Sequence, residues 1–454
     1  MSENHKQAFS VAVIGAGPAG IYAAREVAQA GAQVALINRD IKPGGLAEYG
    51  IYPSKYKMKD GLRRQFRQVM DEDNITYFGN LSVGLDDDFS LDDLRAMGFD
   101  ALLITVGAQG TKWLGLPGED LVGVYHAKDL VYHYNKLPPY SEQPFEIGKR
   151  IVCVGVGNVM LDIAHWAVRE LHVDEIVAIA RRGPADVKFS KKEMEIVGAN
   201  LDLAALDAEF DRTGPVMEAA GQDATEAKAF ILKAVEGSQP AISETRFVLD
   251  FLASPKQMLG DERGRVRAIE VEDTTLEKRD GGGTRAVSLG STREIECDTV
   301  VFCIGDRVDE SLGLPLDKWG DFAKAPKPCF PIDDLSYEAY NPQNDELLDG
   351  IFLAGWAREA SSGLVGSARK DGTNGAKAVE AYLESKTASG SDALSQLADR
   401  VAALGKPVVH KTHIRALEAA EIAKAQELGL QEFKYLSNED MLAVMGLVSQ
   451  AESV

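Results

Sequence analysis

The stretch from Val11 to Gly20, V-A-V-I-G-A-G-P-A-G, constrains the fold more than any other part of the chain. An apolar run ends in Gly15, Gly17 and Gly20, the helix-like A-A-R-E-V-A-Q-A follows, and a second apolar run, Gln33 to Ile37, closes a βαβ unit. Gly15 suits the tight turn out of the strand, Gly17 lets backbone approach a pyrophosphate, and Gly20 lets helix and strand pack closely. The helix start then offers N–H groups and a positive dipole end to phosphate. A second copy begins at Ile151, I-V-C-V-G-V-G-N-V-M-L-D-I-A-H-W-A, with Gly155 and Gly157 in its turn and the strand-like Glu175 to Ala180 after it. Two such units predict an α/β chain that brings two redox nucleotides face to face.

The ends of the second strands tell the units apart. In the first, Asn38 stands where a carboxylate normally binds the adenosine ribose, so its hydrogen bond lacks charge assistance. In the second, Arg181 and Arg182 stand where an acid would select NAD. Two guanidiniums there would bind a 2′-phosphate, each charge-assisted contact contributing about 1–3 kcal/mol. The second nucleotide is therefore expected to be NADP(H).

Composition excludes several classes. A chain of 454 residues with net charge -21 suits two or three domains and disfavours nucleic acid or an anionic membrane as partner. No apolar run approaches the roughly 18 residues that span a bilayer, and the N-terminal M-S-E-N-H-K-Q-A-F is polar, so a cytoplasmic protein without membrane insertion is expected. Cys153, Cys297, Cys303 and Cys329 form no C-x-x-C pair, which argues against thiol-disulfide exchange, a zinc site or an iron–sulfur cluster. His165, His172, His410 and His413 show no metal-ligand spacing. Lys55, Lys57, Lys59, Arg63, Arg64 and Arg67 make a local basic cluster, either a solvated helix face or a docking patch for an acidic partner.

Between the fingerprints, Gly44, Gly45 and Leu46 suit a loop lying against a flat ligand. Leu81 to Val83 reads as a short strand, and Ala101 to Val106 leads into G-A-Q-G, a candidate domain crossover. Residues 222–284 carry little signal beyond probable strands at Thr245 to Ala253 and Val266 to Val271. Near Gly350 a strand runs into Gly355 and Trp356, the latter placed to fill core or to lie against a ring, and Ser361 and Ser362 can cap a helix beginning near Gly363. The tail from Ser391 is rich in helix formers and acid.

With these motifs in order, the chain resembles adrenodoxin reductase and its bacterial relatives, the ferredoxin-NADP reductases of the glutathione-reductase-like fold. The matching stretches include V-I-G-A-G-P-A-G, L-P-G-E-D-L-V-G-V-Y, V-G-V-G-N-V-M-L-D-I-A, R-R-G-P-A-D-V-K-F-S-K-K-E, F-L-A-S-P-K-Q-M-L and L-E-A-A-E-I-A-K-A-Q-E-L-G. The resemblance implies two Rossmann-like dinucleotide-binding domains of three-layer ββα type, the NADP domain (109–330) inserted into the FAD domain (1–108 and 331–454). It implies FAD at Ala19, Leu46, Val83, Trp356 and Gly363, Leu364 and Val365, and NADP at Val156, Gly157, Asn158, Val159, Arg181, Arg182 and Glu193, with Gly363 near the nicotinamide. A helix start at that last segment would stabilise a reduced, anionic flavin ring.

Three departures stand out: Asn38; Pro53-Ser54-Lys55-Tyr56 in place of a P-D-H-P stretch; and Arg358-Glu359-Ala360-Ser361-Ser362 in place of K-R-G-P-T. The activity implied is transfer of electrons between NADPH and a ferredoxin or flavodoxin. Hydride transfer between two bound cofactors needs no side-chain acid or nucleophile, so none is assigned. The G-G-L-A-E-Y-G-I segment also resembles the glutamate synthase small subunit, which keeps open an NADPH-oxidising subunit of a larger complex, and a non-catalytic nucleotide sensor is the third reading.

Overall fold

A computed structural model of the chain describes residues 8–361 and 363–449. It divides into two units, the first running to Gly110 and including Tyr132–Glu142 and the chain from Asp306, the second made of Thr111–Val131 and Gln143–Gly305. The second is thus inserted into the first. The expected boundary at 330 lies further along the chain than the observed one, because Val308, Leu312, Leu314 and Phe322 are buried in a core of the first unit.

The first unit is built on a six-stranded sheet. Its strands β1 (Ser10–Ile14), β2 (Gln33–Asn38), β3 (Ile75–Gly79) and β4 (Ala101–Ile104) are joined by Glu346–Leu353 and Glu338–Asn341, in the order Glu338–Asn341, Glu346–Leu353, β4, β1, β2, β3. All pairs are parallel except the outermost, Glu338–Asn341 with Glu346–Leu353. A central parallel strand is covered on both faces, which is why β1 reads as an unbroken apolar run. Val11 and Val13 enter one core, shared with helix α1 (Pro18–Gln29), while Ala12 and Ile14 enter the other. The helix Val365–Glu384 lies close against α1: a Cβ on its Gly372 would meet the Ala19 carbonyl oxygen at 2.2 Å.

Leu81–Val83 is not a strand. The chain is extended earlier, in β3, whose alternation buries Ile75, Tyr77 and Phe78, and Val83 makes only an isolated bridge to Phe89. Gly79 and Val409 exchange two backbone hydrogen bonds of 2.8 and 2.9 Å, which ties the C-terminal tail to the end of β3.

The second unit holds a five-stranded parallel sheet in the order Val124–His126, Thr299–Phe302, Arg150–Val154, Glu175–Ala180, Arg246–Phe251. Val152, Val154, Val177 and Ile179 on one face pack into a core with Ala253, Met258, Ile269 and Val271 of a three-stranded antiparallel sheet, Ala253–Gly260, Val266–Lys278 and Thr284–Glu296. The expected strand Thr245–Ala253 is two strands, broken at Leu252, which takes a φ of 50°. Residues 222–284, nearly silent as sequence, supply most of this second sheet and the helix Ala224–Glu236.

Candidate functional site

In the first unit the glycine turn links β1 to α1. Gly15 has φ 106°, a conformation that penalises a side chain, and a Cβ there would meet the Thr105 carbonyl oxygen at 2.6 Å. A Cβ on Gly20 would meet the Gly15 carbonyl oxygen at 1.9 Å, so helix and turn are in contact. Gly17 differs from both, since a Cβ built on it meets nothing within 4 Å beyond its chain neighbours. It is the N-cap of α1, with no side chain capping the helix. An uncapped helix start facing open space is what a pyrophosphate requires.

Other predicted positions gather on this turn. Gly45 lies so close that a Cβ on it would be 3.1 Å from the Gly17 Cα, and the Gly44 N–H donates to the Ala16 carbonyl at 2.7 Å. Leu46 opens the short helix that Gly45 caps. Gly355, at the end of Glu346–Leu353, would place a Cβ 2.6 Å from that of Ala19. Trp356 follows in a single 3₁₀ turn, Gly355–Ala357, half-buried. Val83 follows the end of β3 and bridges Phe89.

Asn38, the expected ribose ligand, is engaged by the chain's own backbone. Its side chain is 7% exposed, its Oδ1 accepts the Ala16 N–H at 3.0 Å, and its Nδ2 donates to the carbonyls of Asp40 (2.8 Å) and Lys42 (3.1 Å). The amide braces the glycine turn against the loop after β2. A carboxylate could make the first of these contacts but would face two carbonyl oxygens at the others.

Ser361 does not cap the next helix. The helix after Trp356 begins at Val365 with Leu364 as N-cap and no side-chain cap, two residues later than expected. The Ser361 hydroxyl instead accepts the Asp306 N–H at 2.8 Å, and Ser362 lies outside the described residues. Gly363 and Leu364 are exposed, the latter 74%. Arg358, one of the departures, is buried on Asp371 with three contacts of 2.6 to 3.1 Å, and Asp371 also accepts the Gly355 N–H at 2.6 Å. Its charge is neutralised inside the fold, and only Glu359 of that pair is exposed. The sequence signal for Asp371 is faint, an acid in the first half of a helix that is there rich in small and basic residues.

The basic cluster dissolves on folding. Lys59 is buried with Asn135 (3.2 Å) and Glu432 (3.4 Å), Arg63 bonds Glu48 at 2.6 Å, and Arg67 pairs with Glu418 at 3.1 Å. Lys42 joins the same network, 2.6 Å from Glu421 and 3.3 Å from Glu48. Burial alone would raise the Glu48 carboxyl, but Lys42, Lys434 and Arg63 outweigh it and hold it well below the usual range. Lys434, sealed among them, is pushed down to about 7 by burial against the pull of Glu48. Lys57 and Arg64 are exposed, Arg64 on its neighbour Asp60.

In the second unit the turn after Arg150–Val154 repeats the geometry. Gly155 has φ 113° and would put a Cβ 2.6 Å from the Cys303 carbonyl oxygen, while Gly157 has open space and is the uncapped start of the helix Asn158–Trp166. Lys188 N–H donates to the Val156 carbonyl at 2.9 Å and Ser190 N–H to Asn158 Oδ1 at 2.8 Å, so Val156, Gly157 and Asn158 are tied to the segment before Glu193. Val159 is 41% exposed. Arg181 is exposed at the end of Glu175–Ala180, and Arg182 pairs with Asp186 at 2.9 Å. Among the described residues no group of His, Cys, Asp and Glu could hold a metal ion, and no helix is long and apolar enough to cross a membrane.

Comparison with known proteins agrees with this geometry. The profile of the pyridine nucleotide-disulphide oxidoreductases matches residues 9–200. The chain is 28% identical to the mitochondrial NADPH:adrenodoxin oxidoreductase of Arabidopsis thaliana, covering 95% of this chain and 94% of that one. It is 26% identical to the NADPH-ferredoxin reductase FprA of Mycobacterium leprae, over 96% and 98%. The structure of Mycobacterium tuberculosis FprA in complex with NADPH superposes with a TM-score of 0.79 at 26% identity, covering 97% of this chain and all of that one.

Proposed function

We propose that this chain, homologous to adrenodoxin reductase and to the FprA ferredoxin reductases, is an FAD-dependent oxidoreductase that passes electrons between NADPH and a ferredoxin- or flavodoxin-type carrier. The observation that carries it is the pair of open glycine turns, at Gly17 and Gly157, each at an uncapped helix start in its own unit. The residues present fit both cofactors: FAD with its pyrophosphate at Gly17, NADP(H) with its pyrophosphate at Gly157 and its 2′-phosphate at Arg181.

Bound flavin supplies the conversion between a two-electron hydride donor and one-electron acceptors. The chain's own groups bind and orient. Gly15, Gly17 and Gly20 hold the backbone of the first turn against the phosphates, Gly45 and Gly355 crowd the turn and the helix it opens, and Asp371 fixes the Gly355 N–H. The start of the helix Val365–Glu384, left uncapped, supports negative charge beside Gly363 and Leu364. Arg181 selects the phosphorylated pyridine nucleotide, with Arg182 held in place by Asp186. No side chain is required to move a proton in the hydride step.

We assign the protein to the cytoplasm, in support of which its cysteines are free, three of them buried. One observation favours a fixed partner over a diffusing one: Lys59, Arg63 and Arg67 are spent on internal acids and do not offer a basic patch to an acidic carrier. NADPH oxidation by the purified protein, with the host's ferredoxins and flavodoxins at several ionic strengths, tests the function. Turnover with one of them, bleaching the flavin in each cycle, is expected. Absence of any NADPH-dependent bleaching would leave a nucleotide sensor as the better description.

A further inference from the structure

A cavity of about 230 Å³ opens within the first unit. Part of its wall continues directly from the sheet: Arg39 and Asp40 follow β2, and Ser82 follows β3. Both strands neighbour the one that carries the Gly17 turn, in the order β1, β2, β3. In a parallel α/β sheet a nucleotide lies across the carboxyl ends of the strands, so a pyrophosphate at the first turn sends its adenosine half toward the ends of the next two. The segments that follow those two strand ends, through Arg39, Asp40, Asn80 and Ser82, form one wall of the cavity.

Its other wall comes from far along the chain. Lys406, Asn438 and Met441 all belong to the C-terminal tail, which is no part of either βαβ unit. The tail is fastened on both sides of the cavity. Lys406 Nζ reaches Asp88 at 2.6 Å, and Asp88 in turn accepts the Ser82 N–H at 2.8 Å and its hydroxyl at 2.9 Å. Lys434 donates to the Glu48 carbonyl at 2.9 Å and pairs with the Glu48 carboxylate at 3.0 Å, anchoring the tail to the loop that carries Gly45 and Leu46. The exposed Asn438 sits at the first position of the helix Asn438–Val444, at the rim.

We propose that the C-terminal tail is the outer wall of the adenosine pocket, and that Asn438 and Lys406 govern how tightly the flavin dinucleotide is held. Asn438 and Lys406 both line the pocket; Lys406 also acts as a positioning residue, through Asp88 on Ser82. The proposal rests on the flavoprotein reading above and adds a role for a segment outside the nucleotide-binding units.

The test measures FAD affinity and release of apoprotein reloaded with FAD, by flavin fluorescence, with the apoprotein's melting temperature as control. Asn438→Trp, which thrusts an indole into the cavity from an exposed position, is expected to weaken FAD by about tenfold or more, the scale of overpacking a filled site. Glu439→Trp, an equally exposed neighbour that does not line the cavity, should leave FAD affinity unchanged. Lys406→Ala should speed FAD release by a smaller factor at an unchanged apoprotein melting temperature. Equal FAD affinity in Asn438→Trp and Glu439→Trp, or losses that only track the melting temperature, would overturn the proposal while leaving the flavoprotein reading intact. A wild-type apoprotein that takes up no FAD at all would overturn both.

Discussion

The two glycine turns share a geometry and differ in what surrounds them. Around Gly17 everything is packed: Gly20 touches Gly15, Gly45 touches Gly17, Gly355 touches Ala19, and the Asn38 amide is consumed by backbone on either side. Around Gly157 the third glycine is replaced by the buried Met160, Val159 is open to solvent, and Arg181 is exposed. A crowded, internally braced turn suits a cofactor that arrives once and stays. An open turn with an exposed cation suits a nucleotide that comes and goes. On the proposed reading, the same motif would serve a resident or a visitor according to its neighbours.

The largest effect is expected at Gly20. A Cβ 1.9 Å from a backbone oxygen cannot be relieved by a side chain moving away, so Gly20→Ala should cost about 3 kcal/mol or more, and the protein should melt early and bind no flavin. Thermal unfolding read beside flavin absorbance checks this, and a stable yellow Gly20→Ala protein would mean that the first turn is less crowded than its contacts imply.

Asn38→Asp comes next. Restoring the usual acid replaces two donations by a carboxylate facing the Asp40 and Lys42 carbonyls, and should destabilise the fold by about 1–3 kcal/mol. An Asn38→Asp protein that melted higher and held FAD more tightly would instead return this position to the ribose.

On the visitor's side, Arg181→Ala should weaken NADPH by about 1–3 kcal/mol in binding, leave NADH as it was, and leave the melting curve untouched. Arg182→Ala should do less, because Asp186 already holds that side chain.

The smallest effect is the pH dependence that Glu48 contributes in the first unit. Glu48 is depressed well below its ordinary 4.5 in the fold, so its contribution to stability is complete above that pH and is lost as pH falls through the folded value. Melting temperatures measured from neutral pH down to about pH 2 should therefore drop less steeply below the ordinary carboxyl value in Glu48→Gln, once its lower starting stability is allowed for, than in the wild type.

How legible this was follows from how local each feature is. The βαβ units and their glycines span about thirty residues, and the turns at Gly15 and Gly155 lie where the pattern puts them. The inward turn of Asn38 was hidden, because it depends on Ala16, Lys42 and Tyr77 arriving around it. The basic cluster misled for the same reason: Arg63 meets Glu432 369 positions away, and Lys42 meets Glu421 379 positions away. Charge runs show their own solvation poorly when their partners lie at the other end of the chain. Ser361 resembled a cap by composition, yet tertiary contact with Asp306 claimed its hydroxyl.

The most direct test of the central contrast is a matched pair, Gly17→Ala and Gly157→Ala, each adding one methyl to a space that is open in the fold. Both proteins should melt like the wild type as apoproteins. Gly17→Ala should emerge largely colourless, whereas Gly157→Ala should emerge yellow and bind NADPH more weakly. If Gly17→Ala kept its full complement of flavin, or if Gly157→Ala bound NADPH as the wild type does, the assignment of the two turns would be contradicted.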